Sequence, residues 1–154
     1  MTELASAPRP KRPEFRNINV FKDLPSYRLP AAGIVSILHR ISGFIMFLLL
    51  PFIIWMFDVS VSSEISFSRF TSAFTRGVLC GPNSCLLVGW FMKLVALALI
   101  WAYLHHFIAG LRHLWMDISH AAVSKEFGKT SATVTLVLSV ALTLILGAKL
   151  FGFY

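Results

Sequence analysis

Apolar residues fall in three long blocks separated by polar stretches. The first block runs from about Ile34 to Phe57, the second from about Leu86 to Leu111, and the third from about Thr133 to Phe151. Each reaches or nearly reaches the roughly 20 residues that carry an α-helix across a bilayer. Strands are ruled out, because an open strand in lipid leaves its backbone N–H and C=O groups unpaired. The pattern predicts an all-α fold: a three-transmembrane-helix bundle over residues 33–154, with spans about 34–57, 86–111 and 133–151, behind a polar tail over residues 1–32. Pro51 lies inside the first block and predicts a mild kink there. The connector from Asp58 to Ser84 is polar and carries a turn signal at Gly81-Pro82-Asn83. The connector from His120 to Lys129 is short and amphipathic, and no internal repeat is visible.

Composition excludes a water-soluble domain. Of the 154 residues 56% are hydrophobic and only 14% are charged, where a soluble domain carries about a quarter charged. The net charge of +7 is unevenly placed. Arg9, Lys11, Arg12, Arg16, Lys22 and Arg28 precede the first block, and Arg112, Lys125 and Lys129 surround the second connector. The first connector has only Arg69 and Arg76. By the positive-inside rule the N-terminus and second connector face the cytoplasm, or its mitochondrial equivalent. No folded basic face for nucleic acid accompanies these cations. The first thirty residues lack the apolar core of a cleavable signal peptide, and Glu3 and Glu14 argue against a transit peptide. The expected location is a bacterial inner membrane, as a multi-pass protein with a cytoplasmic N-terminus, with the mitochondrial inner membrane as the second choice.

This orientation brings two polar clusters to one depth. Ser36, His39 and Arg40 share one face of the first span at i, i+3 and i+4. His106 and His113 lie a heptad apart at the cytoplasmic end of the second span, with Gly110 four residues after His106 on the same face and Arg112 beside His113. Ionisable groups at membrane depth are costly and mark function. Arg40 needs an anion or several acceptors: a haem propionate or the oxygens of a quinone fit, and snorkelling to the headgroups is the bland alternative. A neutral imidazole is a standard axial ligand for haem iron. His106, the deeper one, is the ligand candidate, while Arg112 and His113 nearer the cytoplasm suit propionates. Hydrogen bonding within the bundle is the alternative for all of them. Gly110 lets a planar ring approach the backbone. His105 points about 100° away from His106 and is an alternative ligand. Asp117 either orients His113 or is a solvated carboxylate. Lys93 and Lys149 read as snorkelling residues near the outer ends of their spans. Cys80 and Cys85 form a C-x4-C pair that is open to either a short-loop disulfide or free thiols.

Arg28-Leu-Pro30, then Ser36-Ile-Leu-His-Arg40-Ile-Ser-Gly43, then His106-x3-Gly110-Leu-Arg-His113-x3-Asp117 together resemble the cytochrome b subunit, the larger membrane anchor, of succinate dehydrogenase (succinate:quinone oxidoreductase). The resemblance covers all three spans. It implies a chain that pairs with a second small membrane anchor subunit and holds an iron–sulfur subunit and a flavoprotein subunit on the cytoplasmic or matrix face. It implies haem b shared between the anchors, with His106 as this chain's axial ligand to the iron and His39, Arg40, Arg112 and His113 near the propionates. It implies ubiquinone as substrate, with Ser36 and Arg40 in the quinone site, and no catalysis from this chain alone. The C-x4-C pair is no hallmark of that family. The rival readings are a haem-free structural anchor for soluble oxidoreductase subunits, a self-contained dihaem cytochrome b and a transporter. The third span has no histidine to serve a second haem, and the spans offer no pair of broken helices for transport.

Overall fold

A computed structural model describes residues 19, 21–23, 25–75 and 84–153, without the side chains of residues 75 and 84–88. Its elements are α1 (Ala31–Leu48), α2 (Leu50–Val61), α3 (Glu64–Thr75), α4 (Ser84–Ile118), a 3-10 turn (His120–Val123) and α5 (Lys125–Phe151). Three of them, α1, α4 from Gly89 and α5, are long and apolar enough to cross a membrane. The tail cations from Arg9 to Arg16, the Gly81-Pro82-Asn83 turn, Cys80 and the Cys85 side chain lie outside the described residues.

The first apolar block is two helices rather than one kinked span. Leu49 sits between α1 and α2 at φ −89° and ψ 2°, and Pro51 occupies the first turn of α2. Proline has no N–H to extend the α1 ladder, and its ring crowds the preceding turn. It is well suited to a helix start, where its missing N–H would have been unpaired anyway. At the other end of the chain, α5 begins at Lys125, eight residues before the apolar block at Thr133. Ser124 caps it, its hydroxyl accepting from the Phe127 amide at 3.4 Å, and Glu126 supplies the acid that a helix N-terminus favours. α5 closes at Gly152, whose φ of +79° only glycine adopts without strain. The Phe153 amide then returns to the Ala148 carbonyl at 3.0 Å, and the Gly152 amide to Lys149 at 3.0 Å.

The bundle packs on small residues, and its large apolar side chains point outward. Val35, Ala109 and Ala132 are completely buried where α1, α4 and α5 meet. Ala132, Thr135, Ser139, Thr143 and Gly147 form the buried stripe of α5. Gly147 lets α4 approach closely, since a Cβ there would fall 2.8 Å from Leu97 Cδ1 and that methyl would have to shift. Phe44, Phe47, Phe107, Trp115, Val137 and Leu144 are all exposed. Lipid removes the hydrophobic drive between helices, so close backbone approach and hydrogen bonds hold them instead. The α5 hydroxyls satisfy themselves locally: Thr135 Oγ1 donates to the Ser131 carbonyl at 2.9 Å and Thr143 Oγ1 to the Ser139 carbonyl at 2.7 Å.

Candidate cofactor and quinone site

α1 and α4 face each other through a reciprocal pair of His-x3-Gly segments. His39 and Gly43 stand four apart on α1, and His106 and Gly110 stand four apart on α4. Each histidine lies on the other helix's glycine. A Cβ on Gly43 would come within 2.9 Å of His106 Cε1, and a Cβ on Gly110 would lie 3.6 Å from His39 Nε2. The two residue-number sums match (39 with 110, 43 with 106), as an antiparallel register requires. The imidazoles stack at 4.1 Å between centroids with 13° between planes. His113 joins the cluster at 5.2 Å from His39, tilted by 54°.

The orientation of His106 is fixed by a backbone acceptor. Its Nδ1 lies 3.0 Å from the His39 carbonyl oxygen. A carbonyl can only accept, so Nδ1 carries the proton. In the neutral ring Nε2 is then the nitrogen with a free lone pair, which is the arrangement a metal-ligating histidine needs. Ser42 completes the anchor. It is fully buried, donates to the same His39 carbonyl at 2.8 Å, and stands 3.4 Å from His106 Nδ1. The donor set and the glycine cradle therefore fit an axial histidine.

His39 and His106 cannot both grip one iron. Trans axial ligands point their nitrogens at each other across the metal, whereas these two rings lie nearly parallel and in contact. Among the described residues no group of three or more His, Cys, Asp or Glu is placed to hold a metal ion.

The remaining predicted residues divide between two faces. Ser36 and His39 are half-buried and Arg40 is exposed, at successive i, i+3 and i+4 positions of α1. Arg112, expected beside the propionates, is not brought to the imidazole cluster. Six residues after His106 it points some 120° away around the helix, is only 8% exposed, and is turned to α5. Its Nε donates to Ser131 Oγ at 2.9 Å and its Nη2 to the Gly128 carbonyl at 3.2 Å. The ring that Gly110 admits is the His39 imidazole, where a cofactor ring had been expected. Asp117 is exposed on the last turn of α4, and His120 is exposed beyond it. Lys93 lies over the Phe151 ring, 5.6 Å from its centroid, joining the first half of α4 to the end of α5.

His105 belongs to the interior of the bundle. It is fully buried, stacks on Trp101 at 5.6 Å, and places Nδ1 3.2 Å from Ser139 Oγ of α5. Its Nε2 is buried without a hydrogen-bond partner among the described residues. With Ala102, Ala109 and Arg112 it makes the α4 stripe that meets α5. Sequence reasoning quoted Ser42 and Gly43 within the first motif without giving either a role, and it did not single out Ser139. The signal for Gly43 was present, since it repeats on α1 the spacing that singled out Gly110 on α4.

Known proteins place this architecture. The succinate dehydrogenase/fumarate reductase transmembrane subunit family matches the chain over residues 9–146. The succinate dehydrogenase cytochrome b556 subunit of Coxiella burnetii is 32% identical over 117 residues, covering 76% of this chain and 83% of that protein. The subunit of the same name from Paracoccus denitrificans is 30% identical over 125 residues, 79% of this chain and 85% of its own length. That of Rickettsia felis is 26% identical over 136 residues, 88% and 90% of the two chains. With three candidate membrane-spanning helices and a family match across nearly its whole length, the chain belongs to the succinate dehydrogenase/fumarate reductase transmembrane subunit family, among the cytochrome b membrane subunits of succinate dehydrogenase.

Proposed function

We propose that this chain supplies one half of a haem b site and part of the ubiquinone-reduction site of its complex, with His106 as the axial ligand. The observation that carries this reading is the bond from His106 Nδ1 to the His39 carbonyl, which leaves Nε2 as the free donor atom. The names of the relatives, cytochrome b556 subunits, agree with a haem b. His39 is stacked on His106 in near-parallel contact, so His106 would hold the haem from this chain and a partner anchor subunit would supply the other histidine. When bound, the haem supplies a one-electron redox centre at that interface. His39 and His113, grouped around His106, and the nearby Arg40 provide the donors and positive charge for its propionates.

Ser36 and Arg40 serve the quinone. The Ser36 hydroxyl hydrogen-bonds a quinone carbonyl, and Arg40 stabilises the negative charge that develops on the quinone oxygens as they are reduced. Iron–sulfur and flavoprotein subunits dock at the same end, on the cytoplasmic side of a bacterial inner membrane, and deliver electrons from succinate.

The test is a reduced-minus-oxidised difference spectrum of the purified complex, wild type against His106→Ala. The wild type shows a haem b band and the variant loses it while its subunits remain together. A normal band in the variant removes the ligand assignment, and no band in the wild type makes the chain a haem-free anchor.

A further inference from the structure

A second site lies at the same end of the bundle, on the α5 side of α1 and away from the imidazoles. A cavity of about 400 Å³ opens between the start of α1, the end of α4 and the start of α5. Its apolar wall includes Pro30, Met116 and Val123. Its charged groups are Arg112, Lys125 and Lys129, and among the described residues no acidic side chain lines it.

The positive charge here is not explained by the fold. α1 starts at Pro30 with no side-chain cap and no acid in its first turn. The Gly33 and Ile34 amides turn back to the Pro30 carbonyl at 2.9 and 3.1 Å. The Ala31 and Ala32 amides, both at the cavity, are left without an intrahelical acceptor. Lys125 and Lys129 open α5, the end of a helix where cations are disfavoured by its dipole. Two helix starts and three cations thus converge on one cavity, and the one acid of the α5 first turn, Glu126, is not among the residues that line it. The apolar wall says that the missing anion carries hydrocarbon with it. A soluble phosphate would leave that wall wet, and a neutral lipid would leave the charge unpaired.

We propose that this cavity seats the phosphate and upper acyl chain of an anionic phospholipid, which clamps the ends of α1, α4 and α5 together. The site rests on the bundle geometry alone and stands apart from the haem and quinone assignments. Basic pockets between membrane helices are suited to such headgroups.

The test uses the whole complex, delipidated in mild detergent and exposed to phosphatidylglycerol, to phosphatidylcholine or to inorganic phosphate, with bound lipid read by native mass spectrometry. Phosphatidylglycerol binds the wild type and phosphatidylcholine does not. The double variant Lys125→Gln/Lys129→Gln weakens that binding roughly twenty-five-fold, at about fivefold for each cation. Val123→Trp, which fills the cavity and leaves the charge unchanged, weakens it as well. Lys93→Gln/Lys149→Gln, the same charge loss at the opposite end, leaves it unchanged. Equal binding of phosphatidylcholine, or full phosphatidylglycerol retention in the first two variants, overturns the proposal. So does displacement of the lipid by inorganic phosphate alone. Loss of a soluble subunit from the charge variant while the lipid stays bound overturns it too, and gives the cavity to an acidic protein segment.

Discussion

His106 Nδ1 lies 3.0 Å from the carbonyl oxygen of His39, so the imidazole on α4 is held by the backbone of α1. Any residue at position 39 supplies that acceptor. What the contact does require is Gly43, because a Cβ there would sit 2.9 Å from His106 Cε1 and 3.2 Å from Nδ1. A ring pinned by a hydrogen bond and by stacking cannot move aside without losing both. Gly43→Ala is therefore expected to cut the haem b absorbance of the purified complex severely, even though alanine favours the helix by about 1 kcal/mol. Gly110→Ala meets His39 Nε2 at 3.6 Å, an ordinary contact, and is expected to keep the band. Difference spectra of the two variants, normalised to subunit content, check the contrast. Equal bands would mean that the Gly43 approach does not position the ligand.

The quinone residues predict a different signature. Ser36→Ala removes a neutral hydrogen bond, worth about 0.5–1.5 kcal/mol, and is expected to raise the KM for quinone by two- to roughly tenfold. Arg40→Leu removes a charged partner for the developing oxyanion, and a loss of about 3 kcal/mol falls mainly on kcat. Electron delivery from succinate to a soluble dye bypasses the membrane site and stays at the wild-type rate in both. Unchanged quinone reduction in both variants, with the dye reaction intact, would remove Ser36 and Arg40 from the site.

Much of this was legible because membrane helices leave few options. Block length gave the three spans, and helical spacing put Ser36, His39 and Arg40 on one face and His106 and His113 on another. The positive-inside rule then implied that the two sets share a depth, and the structure brings His39 against His106 and His113. Pro51 was read as a kink because its apolar neighbours hide a helix start. The start of α5 was missed because Lys125 to Ser131 is polar, and polarity does not distinguish a connector from a capped helix leaving the membrane. Adjacency to His113 suggested the imidazole face for Arg112, whereas its side chain turns to α5. A residue six positions from His106 does not share its face, and the partner that turns it aside, Ser131, sits on another helix. Such pairings across helices, Ser139 with His105 included, depend on register that spacing within one helix does not reveal.

Arg112 carries its own expectation. It ties α4 to α5 through Ser131 Oγ at 2.9 Å and the Gly128 carbonyl at 3.2 Å. Arg112→Leu keeps the apolar volume and gives up two hydrogen bonds from a charged donor, each worth about 1.5–3 kcal/mol in a buried setting. The thermal midpoint of the complex in detergent is expected to fall by several degrees, with the haem band of the remaining folded protein unchanged in position. A shifted band at unchanged stability would return Arg112 to the cofactor.

His105 separates structure from ligation most cleanly. It neighbours the ligand candidate in sequence, yet it is fully buried toward α5 and its Nδ1 is 3.2 Å from Ser139 Oγ. Ser139→Ala removes the α5 hydroxyl that partners the buried imidazole. The cost of such a bond between membrane helices averages about 0.6 kcal/mol and reaches about 1.7 kcal/mol. His105→Phe removes the polar demand and keeps an aromatic ring on Trp101, so it is expected to retain stability. Adding Ser139→Ala to His105→Phe should then cost almost nothing, because the serine no longer has an imidazole to serve. Thermal midpoints of the four proteins close this double-mutant cycle, and all four should show the same haem b band. Additive losses would deny the coupling between His105 and Ser139, and a missing band in His105→Phe would make His105 rather than His106 the ligand.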